Sequence, residues 1–282
     1  MTIEKISVIG TGTMGAGIVQ ALAQAGRPVT MKSRSESSNA KAMGKITKSL
    51  SKLVEKGKMA QQDMDAILSR IKTTTDYSDI ADSDLIIEAA VEEMGLKLEL
   101  FRMLDGICKP ETIIATNTSS LSITEIASVM TRPCHIIGMH FFNPATLMKL
   151  VEVIKGQKTS DEVFTAVVEL CKEIGKTPVA VNEAPGFVVN RILIPMINEA
   201  AGILADGVAS KEDIDEAMKL GANHPMGPLA LADLIGIDVC LSIMEVLHRE
   251  FGEDKYRPHP LLRKMVRANL LGRKTGEGFY KY

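Results

Sequence analysis

The segment GTGTMG at residues 10–15 constrains the fold most, because it joins an apolar, strand-like run to an amphipathic helical segment. In a GxGxxG turn at such a junction, the first glycine makes the tight turn and the second lets the backbone approach a pyrophosphate. The third glycine allows close packing of helix on strand, and the amides at the helix start hold the anion. A glycine-rich turn without a ligand is the alternative for the motif alone. Its position favours a dinucleotide-binding loop formed by Gly10, Gly12, Thr13, Met14 and Gly15.

Short β-branched runs alternate with helical periodicity over the first two thirds of the chain. The predicted strands are residues 5–9, 28–31, 85–89, 112–115, 136–140, 150–154 and 177–181. Several are apolar throughout, as expected when helices cover both faces of a parallel sheet. The alternation predicts βαβ units and a doubly wound sheet.

The pattern changes after the turn-forming segment NEAPG at residues 182–186. Helical spacing then dominates residues 187–207, 211–220, 229–251 and 259–270. At 282 residues, the chain is near the length at which a second domain appears. We therefore predict an α/β, Rossmann-type domain over residues 1–184 and an all-helical domain over residues 185–282.

Composition narrows the choice of partners. The chain has 33 Lys and Arg against 35 Asp and Glu, which disfavours a global electrostatic attraction to nucleic acid or an anionic membrane and leaves a local basic patch as the alternative. Its start runs directly into a strand-like segment, which predicts no signal peptide, and its longest apolar stretch is interrupted by polar residues. The isolated cysteines exclude a disulfide scaffold and a zinc site, and they favour a reducing cytoplasm. They are Cys108, Cys134, Cys171 and Cys240.

The second strand lacks the acidic residue that usually follows it in a dinucleotide-binding domain. Ser33 and Arg34 stand there, and the nearest acid, Glu36, is expected in the next helix. A carboxylate would bind the ribose hydroxyls and repel a 2′-phosphate. Ser33 could instead donate a hydrogen bond to that phosphate, and Arg34 could pair with it or stack on adenine. This predicts NADP(H), with NAD(H) as the less favoured cofactor and a solvated basic turn as the alternative for the segment.

A predicted helix over residues 37–58 carries a lysine stripe opposite its apolar face. The usual explanation is a solvated face, and the functional alternative is a grip on a polyanionic substrate. From composition alone the solvated face is favoured. The stripe consists of Lys41, Lys45, Lys48, Lys52 and Lys56.

Polar residues occur at the ends of later strands, where ligands bind in open α/β sheets. Asn117 and Ser119 follow one strand, and His140 lies at the end of another. A lone histidine is usually structural, and an asparagine often only caps a helix. Glu152 lies between two valines, and burial of an unpaired carboxylate is costly, so it needs a partner. His140 is the obvious candidate.

Four longer segments resemble the 3-hydroxyacyl-CoA dehydrogenase family, closest to its short-chain bacterial members acting on 3-hydroxybutyryl-CoA. They are NTSSLSITEIAS, GMHFFNPATLMKLVEVI, APGFVVNRILIPMINEA and LGANHPMGPLALADLIGIDVCL. The resemblance extends from the glycine loop to GRKTGEGFY at residues 272–280, which is essentially the whole chain.

The resemblance implies reversible oxidation of (S)-3-hydroxybutyryl-CoA to acetoacetyl-CoA by hydride transfer to a nicotinamide cofactor. It implies His140 as general acid/base, Glu152 as its orienting partner, and Ser119 and Asn190 around the 3-oxygen of the substrate. These roles agree with the chemistry, because the 3-oxygen must gain or lose a proton and a carboxylate stabilises an imidazolium. The enzymatic alternatives are a dehydrogenase of a longer or ring-derived 3-hydroxyacyl-CoA, or of a free hydroxy acid. A non-catalytic dinucleotide-binding protein is the alternative from another class.

The resemblance also implies the binding residues. Cofactor contacts are expected from Glu92, Lys97, Asn117, Ser119, Asn143 and Lys274, with Asn117 the weaker candidate. Lys52 and Lys56 correspond to positions near coenzyme A phosphates, so for these two the functional interpretation replaces the solvated face. The helical domain mediates dimerisation in the family, which implies a homodimer or a higher homo-oligomer. No metal, nucleic acid or membrane is expected.

Overall fold

The computed structural model describes residues 1–282, which form two compact units, Met1–Glu183 and Ala184–Tyr282. The division lies one residue before the boundary expected after residue 184. Each unit buries its own hydrophobic core. None of the helices combines the length and the hydrophobicity that a bilayer crossing requires.

The first unit contains a single eight-stranded sheet. Its strands are β1 (Ile6–Ile9), β2 (Val29–Lys32), β3 (Ile71–Thr74), β4 (Leu85–Glu88), β5 (Ile113–Thr116), β6 (Ile136–Phe141), β7 (Leu150–Lys155) and β8 (Thr177–Asn182). The order across the sheet is β3-β2-β1-β4-β5-β6-β7-β8, and every neighbouring pair is parallel except β6 and β7. The predicted doubly wound sheet is confirmed. Strand β3 was not predicted, because this edge strand buries only Ile71 and Thr74 and has no apolar run.

Six helices belong to the same unit. They are α1 (Thr13–Gln24), α2 (Glu36–Glu55), α3 (Gln61–Ser69), α4 (Met94–Ile107), α5 (Ile123–Ala127) and α6 (Asp161–Glu173). Serine side chains cap three of them, at Ser35, Ser122 and Ser160, by accepting a backbone amide of the first turn. The chain passes from β1 outward to β2 and β3, then returns to place β4 on the other side of β1. A crevice for ligands opens at the carboxyl ends of strands where the order reverses in this way.

An acidic side chain secures the opposite, amino end of the sheet. Asp84, just before β4, accepts the backbone amides of Glu4 and Lys5 at 2.9 and 2.8 Å and pairs with Lys109. Burial by itself would raise the pKa of Asp84, but the hydrogen bonds from Lys109 and the two amides outweigh it and lower the pKa to about 2. The ionised carboxylate therefore stabilises the folded unit.

The second unit is helical, as predicted. Its helices are α7 (Val189–Ala205), α8 (Lys211–Gly221), α9 (Pro228–Ile235), α10 (Ile237–Phe251) and α11 (Pro260–Arg267). The prediction of one continuous helical segment over residues 229–251 is wrong. Gly236 separates α9 from α10 with φ of +107°, a conformation that ends a helix and that side-chain-bearing residues rarely adopt.

Two buried carboxylates fix the C-terminal residues to these helices. Asp233 accepts the amides of Phe279 and Tyr280 at 2.9 and 2.8 Å, and Asp215 accepts the Tyr280 hydroxyl at 3.0 Å. Burial and the Asp215 carboxylate raise the pKa of Tyr280 above its ordinary range, so its hydroxyl stays protonated as a donor.

Candidate active site

The glycine loop leaves space where a pyrophosphate would lie. A Cβ on Gly10, which has φ of +117°, would lie 2.3 Å from the carbonyl oxygen of Ala89, and one on Gly15 would lie 2.1 Å from that of Gly10. A Cβ on Gly12 would meet nothing within 4 Å. Gly12 also caps α1 without a side-chain hydrogen bond, and the first turn of that helix has no acidic residue. The close contacts show why residues 10 and 15 are glycines. The amides at the start of α1 are not capped by a side chain and can bind an anion, so the loop fits a dinucleotide.

The end of β2 carries the residues that bear on cofactor choice. Ser33 is buried, and its hydroxyl donates to the carbonyl of Ser35 at 2.7 Å, so that hydrogen is directed to the protein's own backbone. Arg34 is exposed, and Glu36 is the first residue of α2, as expected. Lys32 is buried with its Nζ 3.1 Å from the centroid of the Tyr77 ring. The exposed cation at this strand end is therefore Arg34.

His140 and Glu152 form a buried pair across β6 and β7. They are direct partners in the antiparallel register, and Nδ1 of His140 lies 2.7 Å from Oε2 of Glu152. With Glu152 ionised, its oxygen can only accept, and Nδ1 then carries the hydrogen of this bond. The Phe142 ring lies against the imidazole, with 4.5 Å between centroids. The pairing expected from the position of Glu152 between two valines is confirmed by this contact.

Ser119 lies in a loop that we call the serine loop, residues 117–121. Oε1 of Glu92 accepts three hydrogen bonds from it, from the Ser119 amide at 2.8 Å, the Ser119 hydroxyl at 3.1 Å and the Thr118 hydroxyl at 2.6 Å. Asn117 joins the loop to the neighbouring strand, since its Oδ1 accepts the amide of Phe141 at 2.9 Å. The structure thus brings Glu92 and Ser119 together and gives Asn117 a structural contact.

Lys97, expected along the nucleotide, is buried in an ion pair. Its Nζ lies 2.7 and 2.8 Å from the two carboxylate oxygens of Glu88, and 3.5 Å from Oε2 of Glu92. Sequence reasoning missed Glu88. The signal was an acidic residue that directly follows the apolar run LII at residues 85–87 and ends a buried strand.

A cavity of about 200 Å³ lies between α1, α2 and the loop that follows β6. It brings together Thr13 and Asn143, two of the expected cofactor residues. Lys45 and Ser49 of α2 also line it, although Lys45 was assigned to a solvated face. Lys52 and Lys56 are exposed at the end of the same helix and do not line the cavity.

Two further predicted site residues belong to the second unit. Asn190 is the second residue of α7 and is buried. Lys274 follows α11 and its Nζ lies 2.5 Å from Asp238. No group of three or more His, Cys, Asp or Glu side chains has a metal-binding arrangement.

Comparison with known proteins places the chain in a family. Residues 5–184 match the family model described as the 3-hydroxyacyl-CoA dehydrogenase NAD binding domain, and residues 186–282 match the C-terminal domain of the same family. The chain belongs to the 3-hydroxyacyl-CoA dehydrogenase family. Membership indicates an oxidoreductase with a nicotinamide cofactor and confirms the predicted family.

Individual members of the 3-hydroxyacyl-CoA dehydrogenase family resemble the chain over its full length. The 3-hydroxybutyryl-CoA dehydrogenase of Clostridioides difficile is 64% identical over 278 residues, covering 99% of each protein. The enzyme of the same name from Bradyrhizobium diazoefficiens is 48% identical over 280 residues, covering 99% of this chain and 96% of that protein. The crystal structure of (S)-3-hydroxybutyryl-CoA dehydrogenase from Ralstonia eutropha superposes with a TM-score of 0.96 at 51% identity, covering 100% of this chain and 99% of that one.

Proposed function

We propose that this chain interconverts (S)-3-hydroxybutyryl-CoA and acetoacetyl-CoA. The observation that carries the proposal is the buried contact of 2.7 Å between His140 and Glu152. It lies in a chain that shares 64% identity, along nearly its whole length, with a protein named 3-hydroxybutyryl-CoA dehydrogenase. An acid/base group beside a nicotinamide site is what oxidation of a secondary alcohol requires.

The nicotinamide cofactor, when bound, supplies or accepts the hydride at carbon 3 of the substrate. His140 moves the proton at the 3-oxygen, with Nε2 as the atom that exchanges it. Glu152 accepts the hydrogen of Nδ1, and so it fixes the tautomer that leaves Nε2 basic for oxidation. The same carboxylate stabilises the imidazolium that donates the proton in the reductive direction.

Ser119 and Asn190 are proposed to polarise the 3-oxygen as neutral donors. The hydroxyl of Ser119 donates to Glu92 at 3.1 Å, and a substrate oxygen would replace Glu92 as its acceptor. The shorter bond of 2.8 Å from the Ser119 amide to the same carboxylate keeps the loop in place during that exchange.

NADP(H) is the cofactor that we propose, with NAD(H) as the less favoured alternative. The support is chemical: no carboxylate ends β2, and the exposed Arg34 offers a permanently charged planar donor to a 2′-phosphate. The hydroxyls of Ser35, Ser37 and Ser38 gather at the start of α2, with 3.0 and 2.9 Å between Ser35 and the other two. Glu36 favours the alternative, because it begins the same helix and would accept hydrogen bonds from ribose hydroxyls.

Lys52 and Lys56 are proposed to bind coenzyme A phosphates, and both are exposed at the end of α2 as such a role requires. A cytoplasmic location is proposed from the four free thiols, which a reducing compartment maintains. We also propose a homodimer or higher homo-oligomer through the second unit, where Ile192 of α7 is 68% exposed.

The test is an assay of the purified chain with acetoacetyl-CoA, once with NADPH and once with NADH. We expect oxidation of NADPH that depends on acetoacetyl-CoA, and no comparable rate with free acetoacetate. Binding of the cofactor without turnover of acetoacetyl-CoA would refute the proposed reaction. Turnover of a longer 3-oxoacyl-CoA would then indicate the alternative dehydrogenase, and no turnover of either would indicate a non-catalytic binding protein.

A further inference from the structure

We infer that Glu88 is a positioning residue for Ser119 and acts on it through Lys97 and Glu92. This inference rests on the proposed function, since Ser119 is the group proposed beside the 3-oxygen. Neither the family resemblance nor the comparisons assign Glu88 a role.

The carboxylate of Glu88 has no exposed surface and receives hydrogen bonds on both oxygens. Oε1 accepts Nζ of Lys97 and the amide of Ala90, each at 2.7 Å. Oε2 accepts Nζ of Lys97 at 2.8 Å and the hydroxyl of Thr116 at 2.6 Å. A buried charge is tolerable only with such complete pairing.

Three segments meet around Glu88: the end of β4, the serine loop and the glycine loop. Glu88 ends β4, and its register partner Thr116 ends β5, directly before the serine loop. The amide of Asn117, the first residue of that loop, donates to the carbonyl of Glu88 at 2.7 Å. The turn after Glu88 passes the glycine loop so closely that a Cβ on Gly10 would lie 2.3 Å from the oxygen of Ala89. Glu88 therefore lies between the glycine loop and the serine loop.

Lys97 connects Glu88 to Glu92, because its buried ammonium contacts both carboxylates, Glu88 at 2.7 Å and Glu92 at 3.5 Å. Glu92 in turn holds the amide and the hydroxyl of Ser119. If the charge of Glu88 is removed, Glu92 becomes the nearest counter-charge of the ammonium. Attraction would then draw Glu92 toward Lys97 and away from Ser119.

If the Glu88–Lys97 ion pair were purely structural, its loss would change the free energy of unfolding and leave kcat unchanged. A matched control variant separates these two effects. Asp84 provides it, because it precedes the same strand β4 at the opposite end, pairs with Lys109 and accepts two backbone amides. Asp84→Asn and Glu88→Gln each replace a carboxylate with an amide at one end of β4. Only Glu88 is connected to the serine loop.

The experiment measures kcat and KM for acetoacetyl-CoA reduction in wild type, Glu88→Gln and Asp84→Asn. Displacement of a positioned group by about 1 Å can cost up to about 100-fold in rate. We expect kcat of Glu88→Gln to fall between about 10- and 100-fold. We expect kcat of Asp84→Asn to stay within about twofold of wild type, whatever its stability.

Combination with Ser119→Ala separates positioning from structure. If Glu88 acts through Ser119, Glu88→Gln costs little further rate in the Ser119→Ala background. Multiplicative losses, or an unchanged kcat in Glu88→Gln, would overturn the inference. If Glu88→Gln does not fold, Thr116→Val replaces it in the same cycle: it removes the hydrogen bond of 2.6 Å that holds Oε2 of Glu88 and keeps the charge, so we expect a smaller loss of kcat that again disappears in the Ser119→Ala background.

A crystal structure of Glu88→Gln gives a readout that does not depend on turnover. We expect the distance from the Ser119 amide to Oε1 of Glu92, which is 2.8 Å here, to exceed hydrogen-bond range. An unchanged distance would refute the inference. A wild type that does not reduce acetoacetyl-CoA would refute the proposed function instead, and the two failures are therefore distinguishable.

Discussion

Replacement of Glu152 by glutamine isolates the charge that faces His140, the proposed general acid/base. The amide keeps the shape of the side chain but removes the carboxylate that accepts Nδ1 of His140 at 2.7 Å. Glu152 is 1% exposed, so water cannot substitute for the lost charge. A hydrogen bond to a charged group is worth about 1.5–3 kcal/mol. At about 1.4 kcal/mol for each factor of ten, Glu152→Gln should lower kcat/KM for acetoacetyl-CoA about 10- to 140-fold.

The assay is the initial rate of acetoacetyl-CoA reduction at saturating cofactor, measured in Glu152→Gln, His140→Gln and the double variant. His140→Gln should lose more, about 10²- to 10⁴-fold, which is the usual contribution of a positioned acid/base. The double variant should be about as slow as His140→Gln alone, because Glu152 acts only through the imidazole. Cofactor affinity should stay near that of wild type in all three, since neither residue belongs to the glycine loop.

Two results would refute this reasoning. One is a Glu152→Gln variant with kcat/KM within about twofold of wild type, which would place the contact outside the chemical step. The other is a double variant whose loss equals the product of the single losses, which would mean that the two residues act independently.

The remaining predictions concern cofactor choice, the proposed contact with coenzyme A and stability at acid pH. The double variant Ser33→Asp/Arg34→Ile should lower the ratio of kcat/KM with NADPH to kcat/KM with NADH about 10- to 100-fold. An unchanged ratio, or a wild type that prefers NADH, would contradict this prediction. The double variant Lys52→Ala/Lys56→Ala should raise KM for acetoacetyl-CoA about 2- to 30-fold at low salt and less at high salt, because salt screens exposed charges. An increase in KM that does not depend on salt would exclude contacts with the phosphates. Asp84→Asn should lower the free energy of unfolding at pH 7 by up to about 2 kcal/mol, because the pKa of Asp84 is lowered from 3.8 to about 2 in the folded state. That contribution to stability is complete above pH of about 5 and is lost as the pH falls toward 2. Urea unfolding should therefore show a smaller difference in the free energy of unfolding between wild type and Asp84→Asn near pH 3 than at pH 7. An equal difference at both values would contradict it.

Local sequence patterns were sufficient for the features that depend on neighbouring residues. The glycine spacing at residues 10–15, at the junction of an apolar run and an amphipathic run, predicted the turn that joins β1 to α1. The turn-forming residues near position 184 indicated the boundary at which strands give way to helices. The sequence also indicated that Glu152, between two valines, needs a partner, and it offered His140 as the candidate.

Only the tertiary structure decided the contacts between distant residues. The alternation of a strand indicates which face a side chain occupies, but pairing of β6 with β7 places His140 opposite Glu152. Hydrogen bonds between residues 27 or 28 apart in the chain put Glu88 against Thr116 and Glu92 against Ser119, and no local pattern encodes them. The bond from the Ser33 hydroxyl to the carbonyl of Ser35 is local, two residues along the chain, but the sequence prediction had directed that hydroxyl to a phosphate. The sequence determines which chemical group each side chain carries. The partner of that group depends on which strand ends the fold brings to one edge of the sheet.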